Sequence, residues 1–174
     1  MKLYFKKLYE DAITPSHGSE FSAGYDLYAH NYNGAGANSW TLQIQPHTTE
    51  KIGTGIAIAP NLIKDFTFYI PVSNYIAKSH TIPEVGWFGA IYPRSGLATK
   101  FGLAPANKIG VIDQDYRGEI IVALHNHSDY PQYISQGDRI AQFVMQPFFY
   151  CDWVEIDKLD ETDRGTGGFG STGV

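Results

Sequence analysis

Apolar residues in this 174-residue chain never settle into a helical period. They come instead in short β-rich runs, at residues 3–8, 40–44, 51–59, 66–72, 87–92, 119–125 and 140–145, each bounded by Gly, Pro, Asn or Asp. Many short strands separated by turn residues restrict the chain to an all-β sandwich, jelly roll or barrel. The 18 glycines, 9 prolines, 12 tyrosines and 10 phenylalanines fit the same picture of frequent turns and half-buried pleated surfaces. At most one short helix is predicted, near residues 97–101. A chain of this length buries roughly 70% of its unfolded surface, enough for one sizeable core.

Two stretches behave differently. Residues 31–39 form a polar, Gly-rich loop. From Asp157 the chain turns acidic and then Gly-rich, with 5 glycines between Gly165 and Gly173. Such a tail has few apolar side chains to offset its ordering entropy, so it is either a disordered end or a segment that orders on a ligand. The expected organisation is one β domain over residues 1–156 and a flexible tail over 157–174, without internal repeats.

Charge narrows the partners. With 13 Lys+Arg against 18 Asp+Glu the net charge is -5, which argues against direct, sequence-independent nucleic-acid binding. A few placed cations can still hold a phosphate inside an acidic protein. The single cysteine, Cys151, permits neither an internal disulfide nor a Cys-based metal site, and fits an intracellular, reducing compartment. The first residues lack a signal-peptide h-region, and no apolar run approaches membrane-spanning length. The sequon Asn126-His127-Ser128 is then coincidental.

Several segments could carry chemistry. In the tail, Gly165, Gly167 and Gly170 formally satisfy a dinucleotide fingerprint, but no strand precedes them and too few residues follow for a helix. What remains is a set of close-approach glycines, the Ser171 and Thr172 hydroxyls, the Arg164 fork for a phosphate, and Phe169 as a stacking face for a base. Pro93-Arg94-Ser95-Gly96 ends an aromatic strand, and its arginine, hydroxyl and backbone N–H could converge on phosphate oxygens. Residues 110–124 read as a hairpin: an apolar run, a polar turn, then a strand. Asp113 stands at its rim, where a carboxylate can deprotonate a water, and Tyr116 is close enough to wall the same pocket. Both Asp113 and Asp115 are equally at home as turn formers.

Asp26 lies in an apolar short strand and needs a partner, either a cation or a metal-bound water. Gln142 is likewise a polar residue in an apolar strand. His125 and His127 share a face at strand period but lack an evident third ligand.

In order, these segments closely resemble the five motifs of the trimeric dUTPase family. Residues 23–29 resemble the first, 93–98 the second, 110–119 the third, 137–142 the fourth and 164–173 the fifth. The resemblance implies a jelly-roll-like subunit, a homotrimer with shared active sites, and Mg2+-dependent hydrolysis of dUTP to dUMP and pyrophosphate, which keeps uracil out of DNA. It implies that Asp113 activates the attacking water and that Tyr116 packs on the deoxyribose. Asn107, with the backbone at Gly110, Val111 and Ile121, would read the uracil edge. Arg94, Ser95, Gly96 and Gln142 would hold the phosphates. Arg164, Gly170, Ser171 and Thr172 would close over them while Phe169 stacks on the base. Asp26 would meet Mg2+ through a bound water. Asp26 and Arg94 lie 68 positions apart, longer than is usual in the family. The extra chain is expected in residues 31–39 and 66–87, the latter as an added hairpin or an altered intersubunit surface. Two rivals share the fold: a dCTP deaminase-like enzyme, which would carry a glutamate where this chain has Ala123, and an inactive nucleotide-binding regulator.

Overall fold

The computed structural model describes residues 2–30, 40–60 and 85–168. The expected strand at residues 66–72, the loop at 31–39, most of the 66–87 segment, and Phe169, Gly170, Ser171 and Thr172 lie outside the described residues.

The chain is mostly β. Its strands are β1 (Tyr4–Lys7), β2 (Ser16–His17), β3 (Tyr25–Tyr28), β4 (Thr41–Ile44), β5 (Thr49–Gly53), β6 (Ile56–Ala59), β7 (Val85–Tyr92), β8 (Leu103–Pro105), β9 (Gly110–Ile112), β10 (Ile121–Asn126), β11 (Gln132–Ser135) and β12 (Arg139–Phe149). All pairings among them are antiparallel. The largest sheet has the order β2-β3-β12-β7-β9, a second has β5-β10-β8, and two pairs, β1-β6 and β11-β4, complete the set. Leu27, Ile44, Ile52, Ile56, Leu124, Ile134, Ile140 and Phe143 meet in one core to which all four sheets contribute. Strand β10 shows the alternation that directs this burial, with Val122, Leu124 and Asn126 inside and their neighbours half exposed. Asn126 is fully buried, and its side-chain amide donates to the Ile44 and Tyr130 carbonyls, so the sequon there is structural.

The predicted helix is α1 (Ser95–Phe101), and Gly102 ends it in the left-handed region at φ 67°. Other expectations need correction. The apolar run at 51–59 is two strands in different sheets. Gly55 turns the chain between them at φ 68°, and the Thr54 hydroxyl donates to the Ile120 carbonyl at 2.8 Å. The predicted hairpin at 110–124 is not one. Strand β9 pairs with β7, whereas β10 pairs with β5 and β8. Glycine explains the first pairing: a Cβ on Gly89, opposite Ile112, would lie 2.3 Å from the Phe143 ring. Only the bare backbone lets β7 seat over that ring and accept β9 on its edge.

Gly55 also tests the packing. A Cβ there would stand 2.5 Å from Ala12 Cβ on a backbone that L side chains rarely adopt. Gly55→Ala is expected to cost about 2–4 kcal/mol of unfolding free energy, combining overpacking with left-handed strain. Chemical denaturation with an unchanged m-value measures it.

Candidate active site

Strand order in the large sheet places the first four candidate segments side by side: β3, then β12, then β7, then β9. Gln142 on β12 faces Asp26 on one side and Tyr92 on the other. Two residues past Tyr92 comes Arg94, the N-cap of α1, in extended backbone.

Asp26 is 3% exposed and cannot stay ionised there without partners. It has two. Arg94 Nε donates to Asp26 Oδ1 at 2.9 Å, and Arg139 donates to Oδ2 at 3.3 Å. Of the two partners open to Asp26, cation or metal-bound water, the structure supplies cations. Arg139 was not among the predicted site residues. Its signal was present, since a buried acid on one strand calls for a base on a neighbour, but only the β3–β12 register identifies which. An irregularity in that register between Arg139 and Ala141 marks where Arg139 leaves the regular ladder. Beside the arginines opens a cavity of about 410 Å³, lined in part by Leu97, Phe101, Tyr133 and Asp138. Ser95 and Gly96 form the exposed first turn of α1 at its edge.

A second group gathers around β9. Gly110 is buried against Ile91, and an added Cβ would lie 3.1 Å from Ile91 Cβ. Asn107 is exposed in the preceding turn, and its Nδ2 comes within 3.2 Å of the same point. Val111, Asp113 and Tyr116 are exposed, and Ile121 is half-buried at the start of β10. The Tyr116 ring folds over Gly118, where a Cβ would sit 2.4 Å from the phenol oxygen, and its hydroxyl donates to the Glu119 carbonyl at 2.9 Å. The Arg117 guanidinium braces the turn by donating to the Gln114 and Tyr116 carbonyls, both at 2.8 Å. Glu119, also missed from sequence, accepts the Gly55 N–H at 2.7 Å and ties this loop to the β5–β6 turn.

Arg94 and Asp113 do not meet within one chain. Strands β7 and β9 are antiparallel, with Gly89 opposite Ile112 and Ile91 opposite Gly110. Arg94 therefore leaves one end of the ladder and Asp113 the other. In register, Asp113 falls beside position 88, roughly 20 Å from position 94 at ~3.3 Å per residue.

Arg164 belongs to neither group. Residues 151–166 are exposed throughout, Trp153 at 99%, and Arg164 Nε donates to the Gly167 carbonyl at 2.9 Å. At the root of this arm, Gln114 donates to the Tyr150 hydroxyl at 2.5 Å. Among the described residues no three His, Cys, Asp or Glu side chains come together to hold a metal, and no helix is long and apolar enough to cross a membrane. Each Asp26 oxygen accepts one arginine, while a carboxylate offers about four lone-pair sites. Each oxygen can therefore accept one further hydrogen bond, as from a metal-bound water.

The model of the dUTPase family matches residues 44–173. The deoxyuridine 5'-triphosphate nucleotidohydrolase of Desulfitobacterium hafniense is 41% identical over 160 residues, 92% of this chain and 87% of that one. The chain belongs to the dUTPase family. The corresponding dUTPase of Nautilia profundicola is 38% identical over 173 residues, 99% of each chain. Among solved structures, the dUTPase of Staphylococcus bacteriophage 80alpha with dUPNHPP superposes with a TM-score of 0.70 at 23% identity, covering 99% of each chain. At that identity the likeness speaks for the dUTPase fold.

The bridged carboxylate carries a test. Asp26→Asn removes the charge that neutralises two arginines, one of them three-quarters buried. We expect a loss of about 2–4 kcal/mol in unfolding free energy, with dUTP turnover falling as well. Thermal melting beside a pyrophosphate-release assay reads both.

Proposed function

We propose that this chain hydrolyses dUTP to dUMP and pyrophosphate at sites shared between copies of a homotrimer. The observation that carries the reading is the pairing of a carboxylate on β3, bridged by Arg139 of β12 and by Arg94 at the N-cap of α1, with an exposed acid, Asp113, on a loop that its own Arg94 cannot reach. In this reading the β domain spans residues 1–156, and residues 157–174 close over the bound nucleotide.

Arg94, held by Asp26, presents its remaining guanidinium donors to the phosphate chain, with Ser95, Gly96 and Gln142 completing the cradle. From a neighbouring copy, Asp113 accepts a proton from a water as the water oxygen bonds to the α-phosphorus. The bond from that phosphorus to the bridging oxygen breaks, and pyrophosphate leaves. Asp26 would meet a bound Mg2+ through a metal-bound water, and the ion would supply neutralisation of part of the triphosphate charge. Asn107 and the backbone of Gly110, Val111 and Ile121 pair with uracil, so cytosine leaves unpaired groups at a cost of about 1–3 kcal/mol each. Tyr116, pinned by its hydrogen bond to the Glu119 carbonyl, lies against the sugar where a 2′-hydroxyl would stand.

The arm supports the shared arrangement. Trp153, Val154, Ile156 and Leu159 stand bare on it, and an apolar strip of this kind becomes stable once another surface covers it. It leads towards Arg164, Phe169, Gly170, Ser171 and Thr172, which in this reading grip the terminal phosphate and stack on the base. Ala123 on β10 offers no acid, which sets the deaminase-like reading aside.

Asp113→Asn is expected to lower kcat by at least about a thousandfold while dUTP still binds, since only the proton acceptor is lost. Stopped-flow pyrophosphate release and equilibrium binding separate the two quantities. Turnover close to that of the unmodified protein would place the base elsewhere.

A further inference from the structure

We propose that His125 and His127 form a two-nitrogen clip for a borderline divalent transition-metal ion such as Zn2+, Ni2+ or Cu2+, on a different sheet from the arginine-bridged carboxylate. Residues two apart along an extended chain point to the same face, and here their imidazoles are 4.4 Å apart between ring centroids. Two imidazoles sharing one ion at Zn–N bonds of ~2.05 Å have centroids about 4.5–5.2 Å apart for angles between 90° and tetrahedral. The observed centroid separation lies just below that range.

One of the two rings is already oriented. His125 Nδ1 shares a hydrogen bond with the Thr49 hydroxyl at 2.8 Å, across the β10–β5 register in which His125 faces Thr49. When that nitrogen carries the proton and donates to Thr49, Nε2 is left as a lone-pair donor, the arrangement that outer hydrogen bonds impose on metal-binding histidines. His127 is exposed, so an ion on the clip is open to solvent and completes its coordination with water.

Two more donors stand at the same end of the sheet. The Asn126 carbonyl accepts the His47 N–H at 2.9 Å, which brings His47, in the turn before β5, to the end of β10. The His47 ring is hydrogen-bonded to Asp129 at 3.0 Å. Among the described residues these side chains do not converge on one point, so the clip is bidentate and open, suited to soft-to-borderline ions. Mg2+, which prefers oxygen ligands in a near-ideal octahedron, does not suit it.

The test is titration of the full-length protein with Cu2+, followed by electron paramagnetic resonance, and with Zn2+, followed by calorimetry. The nitrogen hyperfine pattern should report two imidazoles. His125→Asn and His127→Asn should each weaken binding about 10–100-fold, and Thr49→Val about tenfold by releasing the ring. Melting curves without metal establish that each variant is folded. The proposal is overturned if the unmodified protein binds neither ion at millimolar concentration, or if folded His125→Asn and His127→Asn bind as the parent does. Because His125 and His127 take no part in the phosphate or uracil contacts, Mg2+-supported dUTP turnover is a separate readout, and its loss or retention bears on the hydrolase reading alone.

Discussion

Asp26 is the residue on which the site depends. A carboxylate 3% exposed is unstable alone, and the two guanidiniums that neutralise it come from the neighbouring strand β12 and from the N-cap of α1 just past β7. One buried charge thereby fixes the end of β7, the start of β12 and the entry to α1 relative to β3. Buried ion pairs add little net stability over apolar packing, because desolvation offsets their attraction. Their value here is positional. Arg94 enters the cavity already oriented, and less side-chain entropy is lost when a phosphate arrives.

The same sheet accounts for the separation of the two halves of the site. Antiparallel β7 and β9 share a ladder but leave it by opposite ends, so Arg94 and Asp113 point away from one another within a chain. A shared site follows from topology once both residues are required for one reaction. Glu119 accepting the Gly55 N–H, and Arg117 bracing the loop carbonyls, hold Asp113 on a constrained, exposed turn. In the proposed shared site, a second copy's phosphate cradle would meet it there.

Much of this was legible in the sequence, unevenly. The β class follows from short apolar runs and turn residues, the one short helix expected near residues 97–101 begins at Ser95, and Asp26 announced its need for a partner through its apolar flanks. Strand β11, Gln132–Ser135, escaped because its alternation includes one buried apolar residue, Ile134, and its pairing with β4 is a long-range fact. Strand β12 runs past Pro147 to Phe149, where a proline suggested a stop. Among the described residues β12 pairs only with β7 beyond Phe143, and a strand paired on one side tolerates a missing N–H. The false hairpin at 110–124 has the same origin: local pattern reports which segments are extended, but a glycine over the Phe143 ring decided the partner. Arg139 and Glu119 could not be singled out as site residues because their roles are contacts across register: a base for Asp26 was called for, but only the β3–β12 pairing says which.

The central claim is that Arg94 and Asp113 of different copies build one site. Subunit complementation tests it most directly. Asp113→Asn and Arg94→Ala proteins, each inactive alone, are mixed, unfolded and refolded together, and dUTP hydrolysis is measured. A shared site predicts recovery towards about a quarter of parental activity, the fraction of random neighbour pairs that bring both native residues to one site. A mixture as inactive as its parents, with mixed oligomers shown to form, would contradict the account.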